Sequence, residues 1–384
     1  MSQITNPSSQ RQEPLVSVVI PAHNAALFIE KTLVSVLGQT YPNFEVLVVD
    51  DGSQDATAAI VLHLAQQDAR IRLIQQRNSG VAAARNTAIR QAQGEFIAPI
   101  DADDLWRPEN LARQVEVMQA GGESVGLVYS WSVDINENDL PTGEFRAAQI
   151  EGQTLATLTC HNFIGNASAS MIRRACLEKL GDYNTQLHAL KAQGCEDWDL
   201  YLRIAEHYEF RVVPEFLVGY RKLSQGMSGD LGKMAASHQM VMQDLRQRSP
   251  QMPAFLCRLS SSSFYIYLSR QGYQYGNYRS ALFWLKQALK AECITPPLRL
   301  GLYPLGLYSL WASTQPPNPK TAQQSPKTTQ KLTTQVPFQS AKADWQYIKS
   351  FSLSLKLTVG SALHYLLKTL YHRKPSTSTY AVSN

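Results

Sequence analysis

Cysteine is scarce and unpaired in this 384-residue chain. The five present, Cys160, Cys176, Cys195, Cys257 and Cys293, are scattered, odd in number and lack any Cys-x-x-Cys spacing. That argues against a disulfide framework or a zinc site and fits a reducing compartment. No run reaches the ~18 uninterrupted apolar residues expected of a spanning helix. Met1 to Pro14 is polar and lacks the apolar core of a secretory signal, so a cytoplasmic location is expected. No Gly-x-Gly-x-x-Gly follows the first apolar run, which argues against nicotinamide redox chemistry. Acidic residues are nearly missing from the C-terminal end: from Lys320 onward there are nine Lys/Arg and one acid, Asp344. That tail carries +8, and the remaining 27 basic and 30 acidic residues leave the first 319 positions at −3. The net +5 therefore says little about the body of the protein. Nucleic-acid binding has only the basic tail in its favour and is not expected.

What is present reads as an α/β protein. Hydrophobic residues make up 44% and charged residues 17%, ordinary for a globular chain. Leu15–Ile20 reads as a strand stopped by Pro21, followed by a helix from Ala25 to Leu37. Strands at Phe44–Val49, Ile71–Gln75 and Phe96–Ile100 alternate with helices near 54–69, 80–93 and 108–119. This alternation predicts βαβ units and a mainly parallel sheet. Beyond Val125–Trp131 the pattern loosens, with helices at Arg174–Leu180 and Glu196–Tyr208 and a short strand at Phe210–Val213. Ala254–Ala291 is strongly helical and resembles a single tetratricopeptide-like pair, too little for a solenoid, hence a helical appendage. The expected division is a disordered N-terminus over 1–14, a main domain over 15–225, the appendage over 226–314, a disordered linker over 315–343 and a basic amphipathic tail over 344–384. Trp345 to Tyr371 is apolar and dotted with Lys349, Lys356, His364 and Lys368. It fits either a helix on an anionic membrane surface or one docked on the protein itself.

The chemistry is concentrated where strands end. Phe96-Ile97-Ala98-Pro99-Ile100 runs straight into Asp101-Ala102-Asp103-Asp104, three carboxylates within four positions. Buried unpaired, they would be very costly, so they belong at the strand's carboxyl end, the ligand-binding end of an open α/β sheet. Such carboxylates suit Mg²⁺ or Mn²⁺; alternatively they cap a helix opening at Pro108-Glu109-Asn110. Pro21-Ala22-His23-Asn24 and Asp50-Asp51-Gly52-Ser53 close the first and second strands in the same manner. Carboxylates converging there serve a base or ribose and a cation on a diphosphate, hence a nucleotide-sugar.

Over Leu15 to Arg221 the chain resembles a family 2 glycosyltransferase of the GT-A fold. The resemblance rests on Val18–Asn24, Gln39–Ser53, Asn78-Ser79-Gly80-Val81-Ala82-Ala83-Ala84-Arg85-Asn86, Gly94-Glu95-Phe96, Ile100–Asp104 and Cys195-Glu196-Asp197-Trp198-Asp199-Leu200, all in the expected order. It implies an inverting transfer from a nucleotide-sugar, with a UDP-sugar as the leading donor, to a hydroxyl on a polysaccharide, lipid-linked oligosaccharide or other cell-surface glycan. By the same resemblance Pro21, Ala22, Asn24 and Asp50 line the nucleoside pocket, and Arg85 faces base or phosphates. Asp101 touches the ribose or assists the metal, and Asp103 ligates Mg²⁺ or Mn²⁺. Asp197 is the catalytic base, with Glu196 and Trp198 on the acceptor side; Trp198 fits the core equally well. Asp104 is expected to cap the following helix, and His23 to be a packing or base-stacking wall with no acid–base role. One departure stands out: Tyr220-Arg221-Lys222-Leu223 has leucine where many relatives carry a metal-assisting histidine. Either water completes the metal's shell, or Lys222 or Arg221 contacts the diphosphate, or metal affinity is reduced. Competing readings are a catalytically silent nucleotide-sugar-binding scaffold and a sugar nucleotidyltransferase, whose glycine-rich loop is absent. Peripheral contact with the inner membrane surface through the tail is the further partner expected.

Overall fold

The computed structural model describes residues 13–223, 230–314, 337–339 and 351–371. The chain opens with β1 (Val16–Ala22), α1 (Ile29–Leu37), β2 (Phe44–Asp51), α2 (Thr57–Gln67), β3 (Ile71–Gln76), α3 (Val81–Gln91) and β4 (Phe96–Pro99). It continues with β5 (Leu105–Trp106), α4 (Asn110–Ala120), β6 (Val125–Ile135), β7 (Pro141–Arg146), α5 (Leu155–Cys160), β8 (Ser170–Arg173), α6 (Arg174–Leu180), α7 (Gln186–Ala189), α8 (Glu196–Ala205) and β9 (Glu209–Arg221). The remaining elements are helical: α9 (Leu231–Arg248), α10 (Ala254–Gln274), α11 (Tyr278–Ala291), α12 (Thr295–Leu298), α13 (Leu302–Thr314) and α14 (Phe351–Leu370).

One sheet runs β3-β2-β1-β4-β8-β6-β9-β5, with β7 paired to β6. The first four strands are parallel, as their alternation with helices requires. β1 and β2 are apolar on both faces because helices cover both; α3 lies against each of them. β1 does not stop at Pro21 but runs on to Ala22. Its last partner on the β4 side is Val19, opposite Pro99, so the missing N–H of Pro21 costs no ladder bond there. α1 begins later than its pattern predicts. The N–H groups of Ala25 and Ala26 donate to Thr57 and Asp55, which ties this turn to the start of α2.

The second half of the sheet is mixed. β8 is antiparallel to β4 and β6, while β6 and β9 are parallel over most of their length. β9 extends far beyond the short strand expected at Phe210–Val213, to Arg221, and β5 pairs along its end. β5, β7, β8 and α5 carry no clear periodicity; they are two to six residues long and held by long-range partners.

The appendage is a helical hairpin, α10 against α11, closed where a side chain on Gly272 would meet the Ala281 backbone at 3.0 Å. Asn277 caps α11 by accepting from the Ser280 N–H, and Asp230 caps α9 in the same way from Lys233. Tyr265, Ile266, Leu268, Ala288 and Leu302 share a small core here. The linker expected over 315–343 and the N-terminal twelve residues lie outside the described residues, except at 337–339. There the linker reading is corrected: Phe338 is fully buried against Gly219, and its N–H donates to the Asp139 carbonyl. α14 docks on α5 of the protein itself, burying Leu353 and Leu367 and hydrogen-bonding His364 to Thr157 at 2.8 Å.

Candidate active site

The register of the sheet brings the motif ends together. Ala22 sits opposite Asp50, and Asp50 opposite Gln75, so the ends of β1, β2 and β3 share one edge. Asp50 and Asp51 are nearly fully buried there but divide their work. Asp50 accepts from the Ser53 N–H at 3.0 Å and tightens the turn. Asp51, which the sequence reading left without a role, accepts from the N–H groups of Ser79 and Gly80 at 2.9 and 2.8 Å. It thereby sets the start of α3, the helix carrying Arg85. Gly80 has φ +88°, and a Cβ there would lie 2.6 Å from the His188 ring, so this approach needs glycine. Asn24, at φ 49°, accepts from the Gln54 N–H and holds the exposed rim with His23, whose Nδ1 lies 2.9 Å from the Asp51 carbonyl.

The acidic loop after β4 is clamped from several sides. The Asp101 N–H donates to the Ser168 hydroxyl, and the Thr32 hydroxyl donates to the carbonyls of Ala102 and Asp104. Asp104 does not cap α4, which begins behind Glu109. Its carboxylate is completely buried and accepts from the Ser168 hydroxyl at 2.5 Å and the Arg221 N–H at 2.8 Å. It is an internal fastener between the loop and β9.

Arg85 lies 5% exposed beneath this loop, and its guanidinium donates to Asp101 at 2.5 Å. Tyr183 packs under it with the guanidinium carbon 5.1 Å from the ring centre, and Asn86 exchanges two hydrogen bonds with the Tyr183 backbone. Burial opposes the charge of Arg85, but Asp101, Tyr183 and Asp197 together outweigh it and hold the arginine protonated. Its Nε is buried without a partner among the described residues. Asp197, in the first turn of α8, is pushed up to about 6 by burial, against the pull of Arg85 and with a push from Glu196. Arg85, Asp101 and Asp197 thus form one electrostatic unit spanning α3, the β4 loop and α8. Glu196 is buried with one carboxylate oxygen on the Gly194 N–H and the other without a hydrogen bond among the described residues. Trp198 belongs to the core: it is 5% exposed, its indole N–H donates to the Leu158 carbonyl, and its ring packs on His238 and Phe264. That corrects its placement on the acceptor side.

Asp103 is likewise pushed up to about 6, by burial first and then by the Asp101 charge. Two carboxylates crowded together, one of them with its ionised form disfavoured, are hard oxygen donors that a divalent cation would fit. Among the described residues no three His, Cys, Asp or Glu are grouped for a metal, so the remaining ligands would come from phosphate oxygens and water. Arg221 is not free for the diphosphate. Its Nε donates to the Asp103 carbonyl, its two amino groups to the Asn136 carbonyl and to Asp139, and Phe28 lies under its plane. Lys222 forms no ion pair with any described residue; its ammonium lies 4.5 Å from the Tyr220 ring centre, and burial lowers it to about 8.

A mixed α/β sheet of this order, with acidic loops gathered at the strand ends, is the fold of a GT-A glycosyltransferase. The chain belongs to glycosyl transferase family 2, whose model matches residues 17–181. It is 30% identical over 216 residues to an uncharacterized glycosyltransferase of Methanocaldococcus jannaschii, covering 55% of this chain and 72% of that one. It is 40% identical over 136 residues to the Escherichia coli UDP-Glc:alpha-D-GlcNAc-diphosphoundecaprenol beta-1,3-glucosyltransferase WfgD, covering 35% and 52%. The crystal structure of S. aureus TarS 1–349 superposes with a TM-score of 0.51 at 20% identity, over 77% of this chain and 87% of that one. The chain spans 42%, 72% and 52% of the lengths of three curated relatives it matches, less than two thirds in two of them.

Proposed function

We propose that this glycosyltransferase moves a sugar from a UDP-sugar to a hydroxyl of a lipid-linked or polysaccharide acceptor, with inversion, in the synthesis of a cell-surface glycan. The observation that carries the reading is the link through Arg85 between Asp101 on the donor-side loop and Asp197 on α8. On this reading the two carboxylates are the leaving-group end and the base end of one displacement, with a shared cation between them. The UDP donor and the lipid-linked acceptor take support from the 40% identity to the E. coli glucosyltransferase.

In this mechanism Pro21, Ala22, Asn24 and Asp50 border the nucleoside, and Asp101 meets the ribose while Arg85 fixes its orientation. Asp103 would hold Mg²⁺ or Mn²⁺, which when bound offsets negative charge on the departing diphosphate. Lys222 supplies a second positive charge there, in the place that Leu223 leaves without a ligand. Asp197 takes the proton of the acceptor hydroxyl as its oxygen attacks the anomeric carbon from the face opposite the diphosphate. Its raised pKa suits a base that works near neutrality. The proposed location is cytoplasmic.

The test is a thermal-shift panel of UDP-, GDP-, TDP- and CMP-sugars with and without Mn²⁺, since a ligand that binds only the folded state raises its apparent stability. Stabilisation by UDP-sugars that deepens with Mn²⁺ is the expected result. Stabilisation by another nucleotide class replaces the donor, and none by any donor overturns the transfer reading. NMR of the product's anomeric proton then reads the stereochemistry.

A further inference from the structure

Two C-terminal helices face the wrong way for a protein surrounded only by water. α13 has no charged residue, and it packs on the body through Leu302, Gly306 and Ser309, small side chains for the most part. Its large ones, Tyr303, Leu307, Leu310 and Trp311, stand outward and are each more than half exposed. α14 packs inward through Leu353, Leu367 and His364, which meets Thr157 and the Glu151 carbonyl, yet Val359, Tyr365 and Leu366 are more than half exposed on its free side. Scattered exposed apolar residues need no explanation, but a helix that hides its small residues and displays its large ones has a partner.

Charge identifies the partner. Between Ala254 and Thr314 there are six Lys/Arg and one acid, Glu292, and the tail beyond adds its own excess of base. A second copy of this appendage would bring like charges together. Exposed aliphatic side chains with Tyr and Trp, on an appendage with an excess of Lys and Arg, match the boundary of a bilayer, where amphipathic rings sit at headgroup depth and cations meet anionic lipid. No helix among the described residues is long and apolar enough to cross a membrane, so the contact is with one leaflet.

We propose that the C-terminal helical layer seats on an anionic lipid surface, with α13 as the inserted element and α14 as a second contact. The proposal extends the tail contact expected from sequence to a helix within the appendage and stands independently of the donor. Seating the cleft beside a lipid-linked acceptor is a consequence that rests on the proposed acceptor.

The experiment is flotation of the full chain with vesicles of phosphatidylglycerol and phosphatidylcholine in equal parts, and with phosphatidylcholine alone. A Leu307→Gln/Leu310→Gln/Trp311→Gln variant and a Val359→Gln/Leu363→Gln/Leu366→Gln variant are compared with the parent. These side chains point outward, so the variants keep the fold, which a circular-dichroism melt verifies. The parent floats with the anionic vesicles, less so at high salt, and the α13 variant binds at least about tenfold more weakly. Absence of flotation, or flotation unchanged in the α13 variant, overturns the proposal. So does a parent dimer in light scattering that the α13 variant dissolves without any vesicle binding, which would make this face an interface between copies. Donor-induced thermal shifts measured on the same variants stay at the parent's value, so failure of the transfer reading registers separately.

Discussion

The buried guanidinium of Arg85 holds the Asp101 carboxylate at 2.5 Å, and its charge also reaches Asp197 on a different element. The loop after β4 and the first turn of α8 therefore share one cation. Replacing Arg85 by Gln leaves Asp101 without its partner and removes the larger of the two pulls that hold Asp197 down, the other being the Trp198 N–H. A loss of stability on the order of 3 kcal/mol is expected from breaking a largely buried pair, reduced because Asp101 is 28% exposed. The acid limb of the pH–rate profile moves upward in the same variant. Chemical denaturation and a kcat/KM profile measure the two effects; a limb that stays in place refutes the coupling.

Asp197→Asn removes the proposed base without removing its volume. Transfer falls about a thousandfold while donor affinity, read by calorimetry, changes little. In the parent, a base held near 6 must be ionised to work, so the rate declines as pH falls through about 6. A variant that loses donor affinity in proportion to its rate would put Asp197 on the donor instead.

Asp103→Asn weakens Mn²⁺-dependent donor binding. Because the carboxylate must be ionised to ligate, parent affinity for the cation falls roughly tenfold per pH unit below about 6. Titration of donor plus Mn²⁺ at a series of pH values follows it, and an isotherm unchanged by the substitution removes Asp103 from the metal.

Lys222 and Arg221 are adjacent and are expected to fail differently. Lys222→Gln keeps stability and raises the donor KM several-fold, and in the parent the same weakening sets in above pH 8 as the ammonium loses its proton. Arg221→Gln unfastens Asp103, Asn136, Asp139 and Phe28 at once and costs on the order of 3 kcal/mol or more. Equal loss of stability in both variants would contradict this division.

Gly94→Ala tests the close approach behind the acidic loop's own strand. A Cβ there would lie 2.6 Å from the Ser17 nitrogen and 2.7 Å from the Leu15 carbonyl, both backbone atoms that cannot step aside. A loss of about 3 kcal/mol is expected, read as a lowered melting temperature.

The alternation of apolar strands and helices made the parallel half of the sheet legible, and the strand ends made Asp50, Asp101 and Asp103 stand out. Roles decided by distant partners were not legible. Asp104 looks like a helix cap in its local setting, yet its carboxylate is fixed by Ser168 and Arg221, 64 and 117 positions away. Trp198 looks available beside Asp197 until α9 and α10 bring His238 and Phe264 onto its ring. The antiparallel half is hidden for a similar reason: β8 is four residues long and exists because β4 and β6 flank it. Asp51 was in plain view, and its place directly before Gly52 in the β2 motif was the signal that went unread.

Phe338 fills the space that Gly219, lacking a Cβ, leaves over β9, with Arg107 beside its ring. The chain leaving α13 is thereby moored to the catalytic body before it reaches α14. A single aromatic ring thus joins a segment that follows α13 in the sequence to β9, the strand that ends in Arg221.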